Sequence, residues 1–193
     1  MRTEGADKPL TLPDERRLVE QAKSGDAEAF GQLYDAFVDR VYRFIFFRVT
    51  DVQMAEDLTS QVFLKAWENL GRYRPHGPFL AWLYAIARNS VIDNYRTRKQ
   101  TVSLDEAAPL AAHDEKLDDQ VELQFEMKSL QVAMQHLTEE QQEVVTLKFI
   151  ADYDTTEIAQ RMGKSEGAIR ALQMRALQAL ARVMKDTGNF DGR

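Results

Sequence analysis

Three side chains spaced seven residues apart, Trp82, Asn89 and Arg96, provide an aromatic ring, an amide and a guanidinium. On a helix this spacing places all three on one stripe, because seven residues make nearly two turns. A ring can stack on an unpaired base, an amide can bond a base edge, and a guanidinium can hold a phosphate. The stripe favours binding of single-stranded DNA. The alternative stays open: Trp82 is a core residue, and the cations that follow complement the helix macrodipole.

A second set of polar residues lies near the C-terminus, in TTEIAQRMGKSEGAIRALQMRALQAL, residues 155–180. Ile158 and Ala159 mark a short helix, Gly163 marks a turn, and Ser165 is the N-cap of a longer helix, which is the pattern of a helix-turn-helix. The second helix of such a motif enters the major groove with its N-terminus first. The pattern predicts DNA contacts from Lys164, Ser165, Glu166, Arg170, Gln173 and Arg175. The alternative is an ordinary helical hairpin with a solvated charged face.

A third stretch, AEDLTSQVFLKAWENL (residues 55–70), has apolar residues at helical spacing and carries Glu56 and Asp57 in its first turns. Carboxylates at that end interact favourably with the helix dipole, so helix stability alone would explain them.

The sequence shows few signatures of an enzyme. The three histidines are not spaced as metal ligands, and no Gly-rich phosphate loop or metal-spaced cluster occurs. We therefore expect no catalytic residue, no metal and no cofactor.

These residues must be positioned by helices, because apolar residues recur at helical spacing almost throughout and convincing two-residue alternation is absent. The sequence predicts an all-α protein. Thr138 with Gln141, and Asp154 with Glu157, have the spacing of a capping box. Eight helices are predicted, near residues 14–23, 26–49, 51–70, 78–99, 120–136, 139–151, 154–162 and 166–185.

An acidic segment, TVSLDEAAPLAAHDEKLDD at residues 101–119, divides these helices into two groups. It is poor in large apolar residues and interrupted by Pro109, so it predicts a flexible linker. The linker would join a helical domain at 14–100 to a second small helical domain at 120–186, which contains the helix-turn-helix.

The charge of the chain is unevenly distributed. The net charge is -6, yet residues 70–100 contain six Arg or Lys and only one acidic residue, Asp93. A local basic patch governs polyanion binding more than the total charge does.

The location of the protein is indicated by what the chain lacks. It has no cysteine, which fits a reducing compartment. Its N-terminal MRTEGADKPLTLPDE has no apolar signal core, and no stretch reaches the roughly 20 apolar residues of a membrane span. These features predict a cytoplasmic protein without membrane insertion.

Taken in order, the motifs EDLTSQVFLKAW, FLAWLYAIARN with VIDNYR, an acidic linker and LTEEQQEVVTLKFIADYDTTEIAQRMGKSEGAIR resemble a known family. The chain resembles the small two-domain sigma factors of bacterial RNA polymerase, the extracytoplasmic-function type of the sigma-70 family, over about residues 14–185. The resemblance implies that it binds core RNA polymerase, directs the enzyme to promoter DNA and helps to open the duplex. It also implies an anti-sigma factor as a further partner.

The resemblance implies roles for individual residues. The residues that would contact the largest polymerase subunit are Glu56, Asp57, Gln61 and Leu64. The residues that would read the minus-ten non-template strand, in which one base is flipped out, are Trp82, Asn89, Asp93 and Arg96. The helix-turn-helix would read the minus-35 element, and the acidic linker would thread the nucleic-acid channels of polymerase.

Three departures from the family's pattern bear on DNA reading. The recognition helix has Ala171, Leu172, Met174 and Leu177 where the family often has polar, basic or bulky residues, which removes phosphate contacts. Gln61 replaces a common glutamate, and RPHGP brings two prolines into the minus-ten loop. Two other hypotheses therefore stay open. One is an interaction module that occupies polymerase or an antagonist without productive DNA reading, and the other is a repressor that uses only the helix-turn-helix.

Overall fold

The computed structural model describes residues 12, 14–74, 77–101 and 119–188, and within these ranges it contains helices and no strand. The all-α prediction is confirmed. The helices are α1 (Glu15–Lys23), α2 (Ala27–Phe46), α3 (Val52–Asn69), α4 (Phe79–Thr101), α5 (Asp119–Gln135), α6 (Glu139–Val145), α7 (Thr155–Met162) and α8 (Glu166–Gly188). A 3-10 turn, Leu70–Arg72, follows α3, and a π-helical turn, Thr146–Ile150, follows α6.

Helix starts in the second half follow local capping chemistry. Thr138 at α6 and Asp154 at α7 each accept a hydrogen bond from a backbone N–H three residues later, and Gln141 and Glu157 return the bond. Each such cap stabilises a helix by about 1 kcal/mol. α7 ends at Met162 and is capped by Gly163, whose φ of 63° lies in the left-handed region that glycine adopts without strain. The chain can therefore turn sharply into α8.

The first four helices pack around a core of large apolar side chains. Leu33, Phe44 and Leu83 are almost completely buried in it. α4 is anchored there at its beginning, where Phe79 is fully buried and its N–H donates to Glu15 Oε1 of α1 at 2.8 Å. Towards its end α4 becomes exposed at Arg96, so the apolar start of the helix is buried and its basic end faces solvent.

The last four helices pack with α8 at their centre, in contact with α5, α6 and α7. Ile158 of α7 and Ile169 of α8 are buried, as is Ala176 nearly two turns further along α8. This half is smaller than the first, and small residues such as Ala176 let the helices approach closely.

The two halves also contact each other. The sequence predicts that α2 continues to residue 49, but it ends at Phe46. Gln131 of α5 explains the difference, since its Nε2 donates to the carbonyls of Phe46 and Val49 at 2.9 and 3.0 Å. The first of these bonds satisfies a carbonyl that the end of a helix leaves without a partner.

Residues 102–118, which include most of the predicted linker, lie outside the described residues. The division into domains at 14–100 and 120–186 stays a prediction. Across the helices that the structure describes, none combines the length and the apolarity needed to cross a membrane.

Candidate nucleic-acid interface

α4 carries the residues predicted to bind single-stranded DNA. Trp82 is half-buried, whereas Asn89, Asp93 and Arg96 are exposed. The ring of Trp82 packs against Tyr73, with a centroid distance of 4.8 Å, and against Phe79 at 5.4 Å. Trp82 therefore contacts the core on one side and solvent on the other, and its role in binding DNA stays a prediction. The side chains of Arg98 and Lys99 lie outside the described residues.

An open cavity of about 540 Å³ lies between the end of α3 and α4. Its volume is in the range of ordinary ligand pockets. The residues that line it are Lys65, Asn69, Arg72, Tyr73, Arg74, Trp82, Ile86 and Asn89. This lining holds three cations, two amides and two aromatic rings, and no described carboxylate, so it suits a base and its phosphate.

The cavity wall is held by local hydrogen bonds. Lys65 Nζ donates to Ser90 Oγ at 3.1 Å, and Tyr73 Oη donates to the carbonyl of Gly77 at 3.1 Å. Burial, and secondarily the charge of Glu15, raises the pKa of Tyr73, so its hydroxyl stays a neutral donor. Asn69 Nδ2 donates to the carbonyl of Lys65.

Sequence reasoning missed six of the eight lining residues as members of one site, all but Trp82 and Asn89. Arg72 and Arg74 were counted in the basic segment, but nothing showed that they face Trp82. Lys65 and Asn69 belong to α3, whose sequence indicated only a core-facing helix. Their spacing of four residues, which places both on one helix face, was the single signal that could have suggested them.

α7 and α8 are joined by the short turn that the helix-turn-helix prediction requires. Ser165 begins α8 and its Oγ accepts from the N–H of Ala168 at 3.3 Å, as an N-cap does. Ser165, Arg170 and Arg175 are exposed, while Lys164, Glu166 and Gln173 are half-buried. The structure thus places all six predicted residues on the turn or on the first three turns of α8.

Most of these charges have partners within the protein. Glu166 accepts from Thr156 Oγ1 at 2.8 Å and pairs with Arg170 Nη2 at 2.7 Å. Lys164 Nζ pairs with Glu140 Oε1 at 2.8 Å. Ion pairs this exposed stabilise by about 0.2–1 kcal/mol, so phosphates can replace the carboxylates.

The unusual apolar residues of α8 divide into two kinds. Leu172 is buried in the core, so the expectation that it takes the place of a phosphate contact is wrong. Met174 and Leu177 are 57% and 43% exposed. They lie on the same solvent-facing side as Arg170, so this side has an apolar residue at Leu177, where the resemblance leads one to expect a cation.

The residues predicted to bind polymerase lie together on α3. Glu56, Asp57, Gln61 and Leu64 are all exposed, and Leu64 is 59% exposed. Trp67, one turn further on, is also exposed. Exposed large apolar residues grouped on one face are typical of a protein interface.

Two family models match the chain. Residues 33–101 match the family described as Sigma-70 region 2, and residues 127–180 match Sigma-70, region 4. The extracytoplasmic-function RNA polymerase sigma factor BldN of Streptomyces coelicolor is 41% identical over 172 residues. That match covers 88% of this chain and 65% of BldN, so the chain spans about two thirds of the length of this relative.

Two solved structures share the fold. CnrH in complex with the cytosolic domain of CnrY is 24% identical, with a TM-score of 0.66, over 90% of this chain and 99% of that chain. The sigma factor RpoE in complex with the anti-sigma factor NepR from Bartonella quintana is 22% identical, with a TM-score of 0.62. It covers 82% of this chain and 98% of that chain.

Proposed function

Since the chain belongs to the extracytoplasmic-function type of the sigma-70 family, we propose that it binds core RNA polymerase and recognises the minus-35 and minus-ten elements. It then promotes DNA opening for transcription initiation. Sigma factors are DNA-binding transcription factors and not enzymes. Because polymerase works in the cytoplasm, the protein acts there.

The observation that carries this proposal is the cavity beside α4. Trp82 and Asn89 offer a ring and an amide to a base, and the surrounding cations Lys65, Arg72 and Arg74 favour the phosphates that flank it. A base that leaves the stack costs a few kcal/mol, while stacking and edge contacts return about 1–3 kcal/mol. The cavity alone therefore cannot open DNA.

Polymerase supplies the missing binding energy. The exposed face of α3 with Glu56, Asp57, Gln61 and Leu64 is the proposed contact with the largest polymerase subunit. The start of α8 binds the minus-35 duplex through Arg170 and its neighbours. An anti-sigma factor is a second proposed partner, by analogy with the RpoE and NepR complex.

The decisive experiment reconstitutes the full chain with core RNA polymerase on fragmented genomic DNA and maps the 5′ ends of transcripts. We expect a small set of reproducible start sites that share two sequence elements. Thymines near those starts should become reactive to permanganate only when the chain is present. If core polymerase with the chain initiates only where core polymerase alone does, the proposal is wrong.

The same reagents separate the two other hypotheses. An interaction module would bind polymerase without creating start sites. A repressor would bind duplex DNA tightly in the absence of polymerase, with an affinity that falls steeply with salt.

A further inference from the structure

Glu143 of α6 lies where the two halves of the protein meet and contacts cations of the first half. Its Oε2 bonds Arg48 Nη2, and its Oε1 accepts from Arg88 Nε of α4 at 3.1 Å. The Arg48 side chain is 6% exposed and that of Glu143 15% exposed, so this contact is largely closed to water. One carboxylate thus bridges two guanidinium groups across the boundary.

The burial of Arg48 makes this contact energetically sensitive. Burial lowers the pKa of Arg48, and the neighbouring Glu143 opposes that change. The guanidinium also lies over the ring of Phe44 at 4.4 Å, while its Nε has no hydrogen-bond partner among the residues that the structure describes. A buried cation whose only described ion-pair partner is removed is strongly disfavoured, so the burial of Arg48 depends on Glu143.

Further hydrogen bonds join the same two surfaces. Gln131 Nε2 donates to the carbonyl of Phe46, at the end of α2, and to that of Val49, three residues later. Gln135 Nε2 also donates to the carbonyl of Val49, at 3.1 Å. Tyr84 Oη donates to the carbonyl of Ile150 at 3.4 Å. Apolar contact accompanies these hydrogen bonds, since the ring of Tyr84 packs against that of Tyr153 at a centroid distance of 6.5 Å. Mixed interfaces of this kind between parts of one chain commonly allow relative motion.

The closed arrangement does not allow simultaneous reading of two promoter elements. Elements 25 base pairs apart are separated by about 85 Å along the duplex. A compact chain of this length is only about 40 Å in diameter, whereas the predicted linker could span about 65 Å if fully extended. The halves must separate before both elements are bound.

We propose that Glu143 is a latch that holds the halves of the free protein together by bridging Arg48 and Arg88, and that binding to polymerase breaks this contact. The second part rests on the proposed function, whereas the first part concerns the free chain alone. If only a small fraction of the free protein is open, its apparent affinity for polymerase is lowered in proportion to that fraction.

Pulsed electron paramagnetic resonance on the full chain measures the separation directly. The sequence has no cysteine, so Gln32→Cys on α2 and Gln178→Cys on α8 provide two exposed sites for spin labels. We expect one narrow distance distribution for the otherwise wild-type chain. With Glu143→Gln the distribution should broaden to longer distances, and the ratio of closed to open protein should fall about tenfold or more.

Glu139→Gln is the matched control, because it removes the same charge from an exposed position of the same helix. It should leave the distribution unchanged. Arg88→Gln keeps the buried pair of Arg48 and Glu143, so it should shift the distance distribution less than Glu143→Gln does. It also provides a second test if Glu143→Gln loses helical circular dichroism. Equal distributions for wild type and both latch variants, whether narrow or broad, would overturn the latch.

Adding core polymerase separates this inference from the proposed function. We expect the wild-type distance to lengthen in the complex, and Glu143→Gln to bind polymerase several-fold more tightly. A transcriptionally active complex that keeps the short distance would overturn the latch and leave the proposed function intact. Failure to bind polymerase would overturn the proposed function, while the distances in the free chain would still decide the role of Glu143.

Discussion

The two proposed DNA-binding regions differ in how their cations are held. Beside α4, Arg72 and Arg74 line a cavity with no carboxylate among its described residues. At the start of α8, Lys164 and Arg170 each pair with a glutamate. The first region is ready for a negatively charged ligand, whereas the second must exchange internal ion pairs for phosphates. We infer that the α4 region contributes more to promoter binding than the helix-turn-helix does.

The largest effect is expected from Asn89→Ala, which removes an amide from the cavity without removing core packing. Loss of contacts to one base costs about 1–3 kcal/mol, so formation of the open complex should fall roughly 5- to 150-fold. Permanganate footprinting at a mapped start site measures this. Gln32→Ala, an exposed amide on α2, serves as the control. If promoter DNA opens equally well with Asn89→Ala, the α4 region does not contribute more to promoter binding than the helix-turn-helix does.

A smaller effect is expected from Arg170→Ala. A base contact by arginine is worth about 1–3 kcal/mol, but the variant also releases Glu166 from an exposed pair of less than about 1 kcal/mol. We expect binding to the minus-35 element to weaken roughly tenfold and base preference to relax at one position. Gel-shift titration of holoenzyme on single-base promoter variants measures this, with Arg182→Ala further along α8 as the control. A loss larger than that of Asn89→Ala would reverse the comparison.

Leu177→Arg should sharpen the comparison by adding a cation to the exposed apolar side of α8. One new phosphate contact should steepen the dependence of log affinity on log salt by about one and raise duplex affinity several-fold. Fluorescence anisotropy of the holoenzyme with duplex DNA between low and moderate salt measures the slope. Leu172 is buried, so Leu172→Arg would test folding instead. An unchanged slope would show that this side of α8 does not face DNA.

The smallest effect concerns Tyr84, which lies between the two halves. Burial raises the pKa of the Tyr84 hydroxyl, so the folded state holds that proton more tightly than the unfolded state. The contribution of this group to the free energy of unfolding is fully present below about pH 10, the pKa of an unfolded tyrosine. It is lost as the pH rises further, towards the pKa of the folded state. Tyr84→Phe loses one hydrogen bond, about 1 kcal/mol, and should flatten this alkaline decline. Urea unfolding at pH 8 and at pH above 10 measures both, and an equal decline in the variant would contradict the assignment.

Sequence reasoning located the helices because their signals are local. The capping boxes at Thr138 and Asp154 and the glycine at Gly163 act within four residues, and the structure contains all three. The candidate site was predicted only along single helices. Trp82, Asn89 and Arg96 share α4 and their spacing is visible, whereas Lys65 reaches the same cavity from α3 through packing that no spacing within one helix encodes.

The amino-acid sequence by itself determined the all-α class, the order of the helices, the local basic patch and the family. Each of these depends on periodicity, caps or motif order, which are properties of neighbouring residues. Only the tertiary structure decided that Leu172 is a core residue and that Arg48 is buried against Glu143, 95 residues later in the chain. Burial of a charge depends on a partner far away in sequence, because desolvation makes a lone cation unstable there and only the folded arrangement brings the carboxylate to it.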